Sequence, residues 1–273
     1  MTDKISLAGD LGSGKSTVAD ILINRLGSEY YSTGAIVRSI AAKHGMSVVE
    51  LNHYMETHPE IDTEIDNGLV ELGKTDKAMV IDSRMAWHFT EGTFKVYLST
   101  DVETSALRIM GANRQGEHSA TLEATIADTK ARRESEKKRY KTQYGVDIKD
   151  LTNYTLIVDT TVATPAEVAD CIINSLEQWK EDPTFTAAYI SSERLSYPDD
   201  EPDGELIALY NSNLEDGDDI PEIEVFEQDG DFFVSRGVEA ALARSFSEEP
   251  FIKVRLVKGS ADGKKYVKMK NSL

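Results

Sequence analysis

The sequence predicts an α/β protein with a parallel sheet at its centre, followed by a smaller α+β unit. Three observations carry this. Five short apolar segments, KISLA, EYYS, AMVIDS, FKVYLS and YTLIVDT, alternate with stretches of helical periodicity, as strands joined by helical crossovers do. The length of 273 residues exceeds what one compact domain of this kind needs. Beyond Asp182 the composition turns acidic, with no Lys or Arg between Arg194 and Arg236.

Taken in order, Lys4 to Ala8 reads as a buried parallel strand and Ser16 to Leu26 as a helix, with Val18, Ile21, Leu22 and Leu26 on one stripe. Between them stands GDLGSGKS, Gly9 to Ser16. A strand that feeds a glycine-rich turn into a helix aims several backbone N–H groups at one small volume, which suits a polyphosphate. Gly9, Gly12, Ser13, Gly14, Lys15, Ser16 and Thr17 are therefore the expected cradle for ATP. Lys15 would reach the β- and γ-phosphates, and the Ser16 hydroxyl would hold Mg2+.

After EYYS, Ser32 and Gly34 lie at a strand end, and Arg38 lies one turn into the next helix. Ser47 with Glu50, and Thr164 with Glu167, have capping-box spacing, and Pro165 stands where a first helical residue misses no hydrogen bond. In AMVIDSRMAW, Asp82 ends a buried strand, where it could order the Mg2+ hydration shell, and Arg84 follows in the loop. That loop lies at the carboxyl edge of the sheet, where open α/β sheets bind ligands. The span from Arg108 to Tyr140 begins with LRIMGANRQG and continues into DTKARRESEKKRY. Arginines there suit the charge that spreads over a moving phosphoryl group. The same run also fits a solvated helix laced with i,i+4 pairs such as Arg132 with Glu136. The last helix of the first unit, Pro165 to Lys180, ends in Glu-Asp-Pro, which sets the expected domains at 1–181 and 182–273.

In the second unit YISSERLSYP reads as a strand, and the acidic stretch after it as a solvated surface or loop. IEVFEQDGDFFVSRG alternates around Asp229-Gly230, the strongest hairpin signal in the chain. VEAALARSF follows as a helix and PFIKVRLV as a further strand.

Composition excludes several classes. A net charge of −18 argues against a sequence-independent grip on nucleic acid, which needs clustered cations. The sequence has no apolar run of the ~18 residues or more that a membrane span takes, and no secretory pattern at its start, so the expectation is a cytoplasmic protein. Cys171 is the single cysteine and reads as a small core residue. His44, His53, His58, His88 and His118 show no metal-ligand spacing, so Mg2+ with the nucleotide is the one cation expected.

These residues carry a resemblance. Residues 1–180 resemble the cytidylate kinases, in particular the compact archaeal-type group. The likeness runs through the glycine-rich loop, YYSTGAIVRSIAAKHGMSVVELNHYMETHPEIDTEID, VIDSR, RIMGANR, RRESEKKRYKTQYGVDIKDLTNYTLIVDT and TPAEV. It implies a P-loop nucleoside monophosphate kinase fold with a five-stranded parallel sheet, and ATP as phosphoryl donor to CMP or dCMP. Through the resemblance, Arg38 and Arg84 would hold the acceptor phosphate, with Ser32 near its base or sugar. Arg108 and Arg114 would belong to a closing lid, and Arg133 and Arg139 would complete the clamp on the moving group. The chain departs from the family's pattern at Ser83, where a glycine is common, and at Met85-Ala86-Trp87, where some members carry an aspartate near the pyrimidine. Trp87 and Tyr54 could stack on a base or simply pack. Asp62, Glu64 and Asp66 could accept from an exocyclic amino group or lie on the surface.

The second unit resembles the ParB-like fold in the order strand, hairpin, helix, strand. Where active members of that family handle phosphate, this chain has Gly237-Val238-Glu239-Ala240, which lacks the basic residue. Arg236 and Arg244 are the nearby cations, and a structural or specificity role is the expectation. The leading functional reading is thus a nucleoside monophosphate kinase. A kinase of another small acceptor, and a nucleotide-switched interaction protein, stand as alternatives; the oligomeric state is not legible.

Overall fold

The computed structural model describes residues 3–55, 57–112, 121–247 and 249–269. In chain order the elements are β1 (Lys4–Gly9), α1 (Lys15–Leu26), β2 (Glu29–Ser32), α2 (Thr33–Lys43), α3 (Val48–Met55), α4 (Pro59–Gly73), β3 (Met79–Asp82), α5 (Ala86–Phe89), β4 (Phe94–Ser99), α6 (Val102–Gly111), α7 (Leu122–Tyr144), β5 (Leu156–Asp159) and α8 (Pro165–Glu181). There follow β6 (Ala187–Ile190), β7 (Leu195–Pro198), α9 (Gly204–Asp216), β8 (Glu224–Gln228), β9 (Asp231–Arg236), α10 (Val238–Ser245), β10 (Ile252–Leu256) and β11 (Tyr266–Lys268).

The five expected strands are present and run parallel in the order β2-β3-β1-β4-β5. The sheet does not stop at five, however. β6 adds in parallel to β5, and antiparallel β10 follows on its far side. Among the described residues the sheet is thus eleven-stranded and mixed, continuing through β8, β9, β7 and β11.

Side chains alternate across this sheet, so each central strand feeds two layers. Ile5, Leu7, Leu98 and Val158 pack under α1 and α8, against Val18, Leu22, Val168 and Ile172. Their neighbours Ala8, Tyr97 and Ile157 face the other way, into a core shared with Ile190, Leu195, Phe232 and Leu242. That second layer crosses residue 181 without a break. Hydrophobic burial therefore ties the later segment to the sheet rather than hanging it from a linker.

Local signals held where backbone chemistry decides. Thr164 and Glu167 form a capping box with Pro165 at the first turn, and the Ser47 and Glu50 side chains hydrogen-bond each other's backbone N–H. At the hairpin Asp229 and Gly230 both take positive φ, 55° and 91°, as a tight two-residue turn requires. Two expectations fail. YISSERLSYP is two strands: a 3-10 turn over Ser192–Arg194 separates β6 from β7, and three strands intervene between them in the sheet. The acidic stretch is not all loop, because it contains α9, capped by the Asp203 carboxylate on the N–H groups of Glu205 and Leu206. Its Ile207 and Tyr210, three residues apart, pack on the shared core, a stripe obscured in sequence by the acidic residues around it.

Candidate active site

The glycine-rich loop leaves β1, the middle strand of β2-β3-β1-β4-β5, and its geometry is imposed by neighbours. Gly9 has φ 149°, and a Cβ there would stand 2.4 Å from the Leu98 carbonyl oxygen. Gly12 has φ 70°, and its Cβ would stand 2.6 Å from the Ser105 carbonyl oxygen of α6. Larger residues fit neither place, so the loop is pinned against β4 and α6. Gly14 opens α1 in the left-handed region with no side-chain cap. The first N–H groups of α1 thus remain available to an anion.

A cleft of about 450 Å³ lies over this loop. Gly12 to Thr17 line its floor; Ser32, Gly34, Arg38 and Asp82 line one side, and Arg108 lines the other, with Arg84 and Arg139 also at its wall. Most of the sequence-predicted residues therefore converge on one volume. Gly9 lies just outside it, in the loop's rear wall. Arg133 also lies behind the loop, its Nε 3.8 Å from the Asp10 carboxylate. Arg114 lies outside the described residues.

In place of Arg133, α7 sends Arg132 into the cleft together with Glu136 and Arg139. Positions i, i+4 and i+7 share a helix face, and position i+1 points about 100° away. Helical spacing alone would have selected Arg132. Its expected pair with Glu136 is present at 3.5 Å, but it faces the cleft rather than solvent, and the Arg132 Nε is buried without a hydrogen-bond acceptor.

Glu136 is the carboxylate around which these cations gather. Arg84 Nε stands 2.9 Å from it, and an Arg84 Nη donates to the Gly9 carbonyl of the loop. Burial alone would raise the Glu136 pKa, but Arg84, Arg132, Arg139 and Lys15 hold it below the usual range. Lys15 donates to the Asp10 carbonyl at 2.8 Å and the Gly9 carbonyl at 3.2 Å. Its ammonium is depressed to about 7, first by burial and then by Arg84 beside it. Arg139 donates to the Tyr140 hydroxyl at 3.1 Å, with Asp62 at 3.9 Å. Positive charge exceeds negative at the cleft wall, and one buried donor there, Arg132 Nε, lacks an acceptor. Polyphosphate would supply both deficits. Ser16 and Asp82 share the cleft, and a hydroxyl with a carboxylate is a donor set that fits hydrated Mg2+.

Behind the loop is a polar cluster that sequence reasoning missed. Asp10 accepts from the Tyr97 hydroxyl at 2.9 Å, the Thr100 N–H at 3.1 Å and the Lys149 ammonium. Burial pushes its pKa upward, but Lys149 and Arg133 more than offset this and hold it far below the carboxylate norm. The loop is thereby tied to the segment after α7.

Other expected residues have structural tasks. Trp87 is buried; its indole N–H donates to the Arg84 carbonyl at 3.0 Å, and its ring packs on Tyr154. Tyr54 stacks on His58 with ring centroids 3.6 Å apart. Asp62 is 5% exposed and faces Arg139, Asp66 accepts from the Tyr144 hydroxyl, and Glu64 is exposed. Cys171 is a free thiol pushed up to about 12 by burial, and so is unreactive. Among the described residues no His, Cys, Asp and Glu group has a metal-binding arrangement, and no helix is long and apolar enough to cross a membrane.

Comparison with known proteins agrees with this geometry. Residues 4–162 match the model of the cytidylate kinase-like family. A cytidylate kinase of Thermoplasma volcanium is 34% identical over 187 residues, covering 67% of this chain and 96% of its own length. An S-adenosylmethionine-dependent nucleotide dehydratase of Lacinutrix mariniflava is 35% identical over 179 residues, covering 65% of this chain but 37% of its own length. A solved structure of an uncharacterized protein from Eubacterium ventriosum superposes with TM-score 0.50 at 16% identity, covering 64% of this chain and 99% of that one. At that identity the superposition speaks for the fold alone. With the loop, the arginines and the family match all falling within the first two thirds of the chain, this protein belongs to the cytidylate kinase-like family.

Proposed function

We propose that the protein is an ATP-dependent nucleoside monophosphate kinase whose acceptor is CMP or dCMP. One observation supports this above the rest: a single cleft contains both a triphosphate cradle and, across Arg84 and Glu136, a second set of cations led by Arg38. A protein that only binds nucleotide has no need of the second set. In this reading the loop N–H groups and Lys15 hold the donor phosphates, and Ser16 and Asp82 hold Mg2+, which neutralises charge on the β- and γ-phosphates when bound. Arg38 and Arg84 hold the acceptor phosphate in line. One of its oxygens attacks the γ-phosphorus, the bond to the β-phosphate oxygen breaks, and ADP leaves. Arg132 and Arg139 face the charge that spreads over the group in flight.

The cytosine preference rests on the relatives named cytidylate kinase. Kinase action on a different nucleotide is the second reading. Ser83 is spent on the Met85 N–H, and Met85, Ala86 and Trp87 are buried, so that departure from the family pattern offers no side chain to a base. For the segment after residue 181 we propose a structural role. The ParB-like order of strand, hairpin, helix and strand is interrupted here by β7 and α9, and Glu239 puts a carboxylate at the start of α10 where a phosphate site needs a cation.

The test is diphosphate formation from a panel of ribo- and deoxyribonucleoside monophosphates with Mg-ATP. CMP or dCMP should lead the panel. Failure of every monophosphate would overturn the kinase reading, and another base in the lead would favour the second one. In Arg38→Ala and Arg84→Ala, ATP binding should survive while most turnover is lost; a pure switch protein would keep its function in both.

A further inference from the structure

The family match ends at residue 162, yet a residue well past it braces the connection that lines the cleft. Arg194, in the turn between β6 and β7, is 4% exposed. Its Nη1 donates to the Asp159 carboxylate at 3.1 Å and to the Thr161 hydroxyl at 3.2 Å, and its Nη2 donates to the Gly230 carbonyl at 2.6 Å. The guanidinium lies over the Phe232 ring, 5.2 Å from its centroid. One fork thus joins the end of β5 to the hairpin of the added segment.

What it joins is the wall of the cleft. Thr160, Ala163 and Pro165, in the connection from β5 to α8, line the cleft on the side of Arg108. Arg108 is itself held there by the Thr160 carbonyl at 2.6 Å and the Thr160 hydroxyl at 3.1 Å. The Thr161 hydroxyl also accepts the N–H of Asp101, the residue that caps α6. Helix α6 in turn carries Ser105, whose backbone pins Gly12 of the phosphate loop. Asp159 is fully buried, and its second oxygen accepts the Ser191 N–H at 3.2 Å, again from the added segment. Without Arg194 that carboxylate would keep the Thr161 N–H and hydroxyl and the Ser191 N–H but lose its counter-charge, and the connection would have to move or take up a proton.

Strand order decides which ligand this wall serves. The phosphate loop follows β1, Ser32 and Arg38 follow β2 on one side of it, and β4 and β5 lie on the other. Opposite the acceptor side, the wall carries apolar Ile109, Ala112, Ala163 and Val168 next to Arg108. These surfaces suit the nucleoside end of the donor, if the kinase reading above is right about the phosphate loop.

We infer that Arg194 is a positioning residue for donor-nucleoside binding: the segment beyond residue 181 braces, through Arg194, the Asp159–Thr161 connection that holds Arg108 against the donor side of the cleft. The segment is thus part of the kinase site rather than a separate module beside it.

The experiment is equilibrium binding of a fluorescent N-methylanthraniloyl ATP with Mg2+ to the full chain, without acceptor, alongside the acceptor KM in turnover. Arg194→Met should weaken the donor Kd about tenfold or more and leave the acceptor KM within twofold. Arg194→Lys keeps a counter-charge for Asp159 but cannot reach three acceptors as a fork does. It should lie between, a few-fold weaker than wild type. Should Arg194→Met fail to fold, Arg194→Lys still decides. A folded variant with a donor Kd within twofold of wild type would overturn the inference, as would an acceptor KM that rises as far as the donor Kd. Wild type that fails to bind the analogue would instead sink the donor-site reading on which the inference rests.

Discussion

The two halves of the cleft are built differently. On the donor side every wall is fastened: Gly12 lies under α6, Arg108 is bound to Thr160, and the Asp159–Thr161 connection is braced by Arg194. On the acceptor side Arg38 is exposed, with no ion-pair partner among the described residues, and α2, α3 and the first half of α4 pack around their own small core of Ala41, Leu51, Met55 and Ile65, while Leu69 further along α4 packs on Met79 and Ile81 of β3. That core is separate from the two layers that clothe the central sheet. In the proposed reading the fastened half would fix the donor, and α2, α3 and the start of α4, which share a core of their own, could shift together while Leu69 stays packed on β3. Closing one half onto the other would expel water, so that an acceptor oxygen rather than hydroxide meets the γ-phosphorus.

Lys15→Met strikes at the fastened half and should have the largest effect. Losing one preorganised cation at a reacting phosphate costs roughly 10²–10³ in turnover, so kcat should fall by about that factor, with acceptor affinity within about twofold. A loss shared equally between donor and acceptor binding would show that the halves are not separable. Arg38→Ala strikes the other half. A hydrogen bond to a charged group contributes about 1.5–3 kcal/mol, so the acceptor KM should rise by roughly 10- to 100-fold while the donor Kd stays put. A matching loss of donor affinity would refute the division.

Glu136→Gln tests the seam between the halves. This carboxylate holds Arg84 and Arg132 together, with Lys15 and Arg139 close by. Its loss leaves like charges facing one another under partial burial. Breaking a fully buried pair costs about 3–5 kcal/mol; with the Glu136 side chain 16% exposed, about 2 kcal/mol is expected. For a chain of this size that is a fall in Tm of roughly 4–8 °C. Tripolyphosphate with Mg2+ should then raise the Tm of the variant more than that of wild type, because an anion supplies what Glu136 gave. Equal shifts in the two proteins would remove Glu136 from the seam.

The donor half was far more legible in sequence than the acceptor half or the seam. A phosphate loop is written in closely spaced glycines, Gly9 and Gly12 held by φ and close contacts and Gly14 by φ, so Gly9 to Thr17 could be read directly. The five strands were legible because each is a short apolar run flanked by helical periodicity. Asp82 and Arg84 were legible from their place at the end of β3, and Arg38 from its place in the helix that follows β2. Arg132 was read only as a helix-surface partner of Glu136, because a run of charges looks solvated until the helix face is known. Asp10, Lys149 and Arg194 were invisible for another reason. Their partners are 139 residues away for the Asp10–Lys149 pair and 35 for Arg194 with Asp159, and nothing local marks a charge that will be buried by distant chain. The continuation of the sheet past β5 was hidden likewise: β6 is four residues long, and its place is set by neighbours rather than by its own pattern.

The smallest expected effect comes from pH, and it separates the halves without a mutation. Lys15 is depressed to about 7 in the empty site, first by burial and then by Arg84. Donor phosphates would restore it toward the usual lysine value of ~10.4. A group whose pKa is higher in the bound state than in the free one is taken up protonated, so binding is strongest below the free pKa and weakens as pH rises above it. Donor affinity should therefore be level below about pH 7 and fall by roughly twentyfold between pH 7.5 and 9. In the proposed reading the acceptor phosphate is held by guanidinium groups, a class that does not titrate in that window, so the acceptor KM should be flat across it. Binding of the fluorescent ATP analogue in constant ionic strength, beside acceptor kinetics at saturating donor, reads both curves. A donor Kd that does not change from pH 6 to 9 would mean that Lys15 is already fully charged in the empty cleft. In Lys15→Met the slope should vanish together with most of the affinity, which ties the effect to that one ammonium.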